Sequence, residues 1–281
     1  MVPGDSDGEE GWRRRVRRII LRDPLFSRAV FAAAVVLGLL FVLYLAQALG
    51  IIHPRLWSLL QDTLNEGAVN TFWFSIFIIP VGALIGFLLG WARISRHPIV
   101  SWPAAVYIDL VRGMPALVMI LFAFFWLPLV FGATDTFESG IFFALIALAV
   151  HTSAYQAEIF RAGFQSVARG QVEAAEAVGL TNWEKIRYVV LPQTFRVTLP
   201  ALGNEFAVII KDTSLLAAIG AADLVFWGRY TEQNAIGNIG WILTIWLVIA
   251  LLYFVITYIV TQVVGAVEHA YRVPGLGSVA F

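Results

Sequence analysis

Residues 67–92 read GAVNTFWFSIFIIPVGALIGFLLGWA, an apolar run that carries no charged side chain. A helix rises about 1.5 Å per residue, so roughly 20 apolar residues cross the ~30 Å hydrocarbon core of a bilayer. This run is long enough to span. Working outward, five more segments meet the same test at 29–52, 103–131, 140–160, 198–225 and 240–267. The segment at 198–225 is the least regular, because Glu205, Lys211 and Asp212 interrupt it. The composition agrees: 59% hydrophobic residues, 14% charged residues and a mean hydropathy of +0.79 place these 281 residues with polytopic membrane proteins rather than soluble domains. The expected fold class is an all-α polytopic membrane protein with six transmembrane helices.

The basic run from Arg13 to Arg18, ahead of segment 29–52, has the outline of a signal peptide. A signal h-region is only about 7–15 residues and ends at a small-residue cleavage site, so this longer run is expected to be retained as a helix. Lys and Arg set the orientation, since basic residues near helix ends stay on the cytoplasmic side. With the N-terminus inside, cytoplasmic segments hold 15 of the 19 Lys and Arg residues. The outer loops keep only Arg55 and Arg229, and the spans only Arg112 and Lys211. Both termini are therefore expected on the cytoplasmic side, with a basic N-terminal segment at 1–28 and a short C-terminal tail at 273–281.

Several function classes drop out. The chain has no cysteine, which removes disulfides, thiolate metal sites and cysteine nucleophiles. His53, His97, His151 and His269 are too far apart to offer a local pair of metal ligands, so no metal is expected. Nucleic-acid binding has no support in the charge pattern, which sums to zero and is basic only along one set of loops.

Between the fourth and fifth spans, residues 161–197 are long for a simple connection, and long ordered loops usually carry function. The Ala/Glu-rich stretch from Gln171 favours a short helix, and Gly179 is where it should stop, since glycine accepts the left-handed conformation at the end of a helix. Thr181 and Glu184 have the spacing of a capping box, which starts a second helix at once. Leu191-Pro192 is expected to end that second helix, because proline disfavours helix in the residue before it. On spacing alone, this helix-turn-helix reads equally as a docking element or as a solvated hairpin that joins two spans.

Glu173-Ala174-Ala175, Gly179 and the closing Val189-Val190-Leu191-Pro192 resemble the EAA loop of binding-protein-dependent ABC importer permeases, with Val189 where isoleucine is usual. Flanking motifs narrow the resemblance to the polar amino-acid permeases of the histidine, glutamine and glutamate type. They are Tyr155-Gln156-Ala157-Glu158-Ile159-Phe160-Arg161, Leu199-Pro200-Ala201-Leu202-Gly203-Asn204-Glu205, Lys211-Asp212-Thr213-Ser214-Leu215 and Arg112-Gly113-Met114-Pro115, the last with Met114 in place of the usual threonine. The likeness covers residues 60–272.

The resemblance implies a type I importer core of five helices, so segment 29–52 is an N-terminal addition. It also implies that Glu173, Ala174, Ala175, Gly179, Leu191 and Pro192 couple the chain to a cytoplasmic ATPase dimer, which binds the ATP and Mg. The further implied partners are a second permease subunit, identical or paralogous, an extracytoplasmic substrate-binding protein and the lipid of a prokaryotic inner membrane. The chain itself is expected to be no enzyme and to bind no cofactor. It has only two lysines, Lys185 and Lys211, and neither sits in the glycine-rich loop that cradles nucleotide phosphates.

Charges inside a membrane cost at least about 2.5 kcal/mol each on insertion scales, and so mark candidate functional positions. Asn204, Val208 and Lys211 share a helix face, with Glu205 and Asp212 on the next. Two readings stand: these residues line a translocation path, or Lys211 and Glu205 pair with charges on neighbouring helices. Asp212-Thr213-Ser214 has the composition to cap a break in the span and present a helix N-terminus to a substrate carboxylate. Asp109 and Arg112, and likewise Glu158 and Arg161, have the i, i+3 spacing of an ion pair. Gly113 and Pro115 allow a bend in the third span, either in a path-lining helix or in an ordinary kink. Two rival functions remain: an ion-coupled secondary carrier, for which the sequence shows no paired repeat, and an importer of the same architecture for an osmolyte, an opine or a sulfur compound.

Overall fold

The computed structural model describes residues 52–235 and 239–270, together with the isolated helical positions Phe31, Ala34, Gly38, Phe41 and Tyr44. Most of the expected first span and both terminal segments lie outside the described residues. Within them the elements are all helical: α1 (Pro54–Asp62), α2 (Ala68–Arg93), α3 (Pro98–Gly113), α4 (Ala116–Val130), α5 (Thr136–Gln165), α6 (Arg169–Ala177), α7 (Asn182–Lys185), α8 (Leu191–Asp212), α9 (Leu224–Asn234) and α10 (Ile239–Ala270). π-helical turns at Thr63–Gly67 and Ile186–Val190 join α1 to α2 and α7 to α8, and a 3-10 turn at Thr213–Ile219 follows α8.

Three of the helices are long and apolar enough to cross a membrane: Pro54–Arg93, Thr136–Gln165 and Gly240–Glu268. They correspond to the expected second, fourth and sixth spans. The second starts earlier than expected, at Pro54 rather than Gly67. The reason is that α1 is amphipathic: Leu56 and Leu60 are buried with Leu224, Ile245, Val248 and Ile249, while Arg55, Ser58, Gln61 and Asp62 stay exposed. A search for unbroken hydropathy passes over such a helix.

The expected third span is not one helix. It breaks after Gly113 into α3 and α4, whose axes are bent by 99°. Met114, just before Pro115, is extended at φ −94° and ψ 137°, as the clash with the proline ring requires. The fifth span also needs correction. It begins at Leu191, stays α-helical only to Asp212, and is too polar to pass as an apolar span. Asp212 does not cap a fresh helix, because its side chain accepts no bond from the 3-10 turn that follows.

α5 is the centre of the bundle, packed most extensively on α2 and then on α4, α8 and α3. Gly82, Gly86 and Gly90 of α2 let the two backbones meet: a Cβ at Gly86 would lie 2.8 Å from Gln156 Cβ and 2.9 Å from the Ser153 carbonyl oxygen. Small residues of this kind are what close helix packing in membranes needs, where hydrophobicity does not drive helices together. Ile78, Ile120, Leu148, Ile209 and Leu216 form the core beside this seam. Outward residues such as Leu84, Leu129, Leu243 and Leu247 are largely exposed, which suits hydrocarbon and not water.

A polar clasp holds the other end of the fold. Asn70 donates to the Ala222 carbonyl at 2.8 Å, and the Leu224 N–H donates to the Thr71 hydroxyl at 3.1 Å. Asp223, fully buried, accepts from the Phe226 N–H at 2.8 Å and from the Tyr253 hydroxyl at 2.9 Å. These bonds fasten the start of α2, the segment before α9 and the middle of α10 to one another.

Candidate functional site

The segment between α5 and α8 folds as two short helices about Gly179. α6 ends there because Gly179 takes φ +85°, a conformation that only glycine enters at no steric cost. The Leu180 N–H reaches back to the Ala175 carbonyl at 3.0 Å and the Gly179 N–H to that of Glu176 at 2.9 Å. This is the six-to-one and five-to-two pairing of a Schellman cap. α7 then starts in a capping box: the Glu184 N–H donates to the Thr181 hydroxyl, and the Glu184 carboxylate accepts the Thr181 N–H at 2.8 Å. Hydrogen bonds from the Thr181 hydroxyl and then from its backbone N–H hold the Glu184 carboxyl below the usual glutamate range.

Leu191-Pro192 does not end the second helix. The chain remains helical from 182 to 212, and the π turn at Ile186–Val190 absorbs the proline. Its register is shown by the Leu191 N–H, which bonds the Ile186 carbonyl five residues back. Widening the turn accommodates a residue that has no N–H to give and whose ring clashes with the preceding turn. Leu191 instead packs beside Phe160, Phe164 and Leu202 at the foot of the bundle.

On α6, Glu173 and Ala174 are exposed and only Ala175 is buried. Nothing lies within 4 Å of where a Cβ on Gly179 would stand, so the turn is open on its outer side. Two apolar side chains beside it have no role in the sequence expectations: Val178 is 78% exposed and Trp183 is 59% exposed. Both lie on the polar loop between α5 and α8, outside the helices that are apolar enough to cross a membrane. The signal was a tryptophan within an otherwise polar stretch.

The turn is also tied internally. Lys185, 11% exposed at its side chain, donates from Nζ to the Glu176 carboxylate. That hydrogen bond, and the lysine charge behind it, hold the Glu176 carboxyl below its ordinary range.

The chain is matched over residues 78–273 by the family of binding-protein-dependent transport system inner membrane components. The chain belongs to that permease family. The permease is 37% identical over 212 residues to the glutamine transport system permease protein GlnP of Escherichia coli (strain K12), covering 75% of this chain and 93% of that one. It is 33% identical over 217 residues to the L-cystine transport system permease protein TcyB of Bacillus subtilis (strain 168), covering 76% and 90%. Among solved structures, it superposes on an amino acid ABC transporter with histidines at a TM-score of 0.64 and 31% identity, over 75% of this chain and 94% of the other. The MetNI methionine ABC transporter, at 20% identity and a TM-score of 0.57, shares the fold.

The polar residues of the permease fall into two separate places. Asn204, Val208 and Lys211 are exposed along one face of α8, as their spacing predicts, while Glu205 and Asp212 are half-buried beside them. Lys211 and Ser214 meet at an open cavity of about 350 Å³, also lined by Val225, Trp246, Ile249 and Tyr253. Arg112 and Pro115 sit instead at the α3–α4 bend, both exposed. The expected pair with Asp109 gives way to a different contact: the Arg112 guanidinium lies over the Tyr155 ring, 5.4 Å from its centroid. The Glu158–Arg161 pair does form, with nitrogen–oxygen distances of 2.6 and 2.9 Å. Among the described residues no group of three or more His, Asp or Glu side chains is arranged to hold a metal ion.

Proposed function

We propose that this chain is the membrane permease subunit of an ATP-driven importer of polar amino acids, and that the α6–Gly179–α7 element couples it to a separate ATPase. Family membership supports the transport role, and the relatives that handle glutamine and cystine support the substrate class. The observation that carries the coupling role is the open turn at Gly179, with Glu173, Ala174, Val178 and Trp183 presented outward beside it. A small-residue helix with exposed apolar neighbours admits a protein groove close to its backbone.

In this reading two permease subunits, identical or paralogous, sit on an ATPase dimer that binds ATP and Mg. A binding protein delivers substrate on the opposite side of a prokaryotic inner membrane, and both termini face the cytoplasm. Lys211, Ser214, Asn204, Glu205 and Asp212 of the α8 face, with Arg112 and Pro115 at the bend, line or support the path. The cystine-type relative favours a second cargo reading, a sulfur-containing amino acid, within the same architecture.

The test is purification of the tagged chain with its associated subunits, followed by reconstitution in proteoliposomes with the binding protein and labelled glutamine or cystine. ATP-dependent accumulation of either, lost in Gly179→Asp although that variant inserts normally, is the expected result. A wild-type preparation that holds no ATPase, or uptake that follows an ion gradient without ATP, overturns the assignment in favour of a secondary carrier.

A further inference from the structure

The contact between Glu176 and Lys185 spans the Gly179 turn, and it is the only ion pair described between α6 and α7. Its lysine is nearly enclosed while its glutamate stays 57% exposed, so the contact is made at the foot of α6 and leaves the outer face of that helix free. Lys185 belongs to a continuous helical stretch from Asn182 to Asp212. Those 31 residues extend roughly 45 Å at the α-helical rise, from the turn to the Lys211 cavity.

The rod crosses α5 at Gly163, where α5 contributes no side chain and the threonines of the rod fill the contact. Gly163 meets Thr194 and Thr198, and a Cβ there would stand 3.1 Å from the Thr194 methyl and 3.3 Å from its carbonyl oxygen. The geometry has three parts: an arm (α6), a rod (182–212) and a close crossing on which the rod bears. Across the capped Gly179 turn α6 also packs on Ile186–Val190, and the Glu176–Lys185 pair is the charged side-chain tie added between the two helices.

We infer that Lys185 is a positioning residue for energy coupling. By holding Glu176 across the turn it makes α6 and the 182–212 helix one lever, so that displacement of α6 reaches the Lys211 end. This inference rests on the permease reading above. It assigns the transmission of force to a residue that takes no part in docking, since Lys185 faces inward while the docking surface faces out.

The test uses the whole complex in proteoliposomes, with three readouts: the amount of ATPase that co-purifies, the rate of ATP hydrolysis and the substrate taken up per ATP. Lys185→Met is expected to keep its ATPase and to hydrolyse ATP, while uptake per ATP falls at least about tenfold, the size of an ordinary coupling free energy. Lys185→Arg retains most of the ratio. The exchange pair Glu176→Lys with Lys185→Glu recovers more than either single change, and it carries the test if Lys185→Met fails to insert. Uptake per ATP in Lys185→Met equal to wild type overturns the inference, as does a loss of uptake that merely tracks a loss of bound ATPase. A wild-type complex that holds no ATPase removes the permease reading first, and the lever with it.

Discussion

The Tyr253 hydroxyl donates a 2.9 Å hydrogen bond to Asp223, a fully buried carboxyl thirty positions earlier in the chain. A hydrogen bond to a buried polar group contributes mainly through the cost of leaving that group unmet, about 1–3 kcal/mol. Tyr253→Phe removes the donor and keeps the ring. The purified protein in detergent is expected to unfold at lower temperature, with a loss of about 1–3 kcal/mol. An unchanged melting curve would show that the Tyr253–Asp223 hydrogen bond contributes nothing to the clasp.

The α2–α5 seam predicts a size limit at Gly86. Even an alanine Cβ would stand 2.9 Å from the Ser153 carbonyl oxygen, which is backbone and cannot swing aside. Gly86→Ala should lower stability by about 1–3 kcal/mol through overpacking, and Gly86→Leu should reduce the amount of folded protein recovered. The measurement is monodisperse yield and thermal stability in detergent. Wild-type behaviour of Gly86→Leu would mean the two helices are not packed as described.

The α3–α4 bend predicts a distance. With axes bent by 99°, labels near the ends of the two helices, at Ile99 and Phe131, stand roughly 30 Å apart, against about 48 Å for a straight helix of the same length. Because the chain has no native cysteine, Ile99→Cys and Phe131→Cys can be spin-labelled without background. Pro115→Ala frees Met114 to turn helical and is expected to add a longer-distance population. A wild-type distance near the straight value would remove the break.

The Thr181–Glu184 capping box predicts a pH response with a definite sign. The Glu184 pKa is lowered in the folded state, so the stabilisation it gives is present above the unfolded glutamate pKa and is lost as pH falls through the folded pKa. Acidification through that window should lower the protection factors of the Thr181 and Glu184 amides, that is, their exchange measured against the intrinsic rate at each pH. Glu184→Ala should show low protection throughout and no such step. A step of equal size in the variant would assign the response to another group.

Local signals made a good part of this legible. Gly179 stops α6 and Thr181 starts α7 as the sequence predicts, because a left-handed turn and a capping box are settled by residues within five positions of each other. Gly113 and Pro115 announced a bend but not its 99°. Leu191-Pro192 misled, since a local rule about proline took no account of a π turn that carries the helix past it. Arg112 was expected to pair with Asp109 on its own helix and lies instead over Tyr155 of α5, which only packing could bring near.

The sequence by itself determined that the chain is helical and apolar enough to span a membrane, that its loop between α5 and α8 turns at Gly179, and which family its motifs resemble. Each of these is a property of composition or of neighbours along the chain. Tertiary structure decided the docking of α1, the Asp223–Tyr253 clasp, the exposure of Val178 and Trp183, and the enclosure of Lys185 against Glu176. Whether a side chain is buried, and whom it meets, depends on how separate helices close on one another, and that closure is set by the sum of many weak packing contacts rather than by any short stretch of sequence.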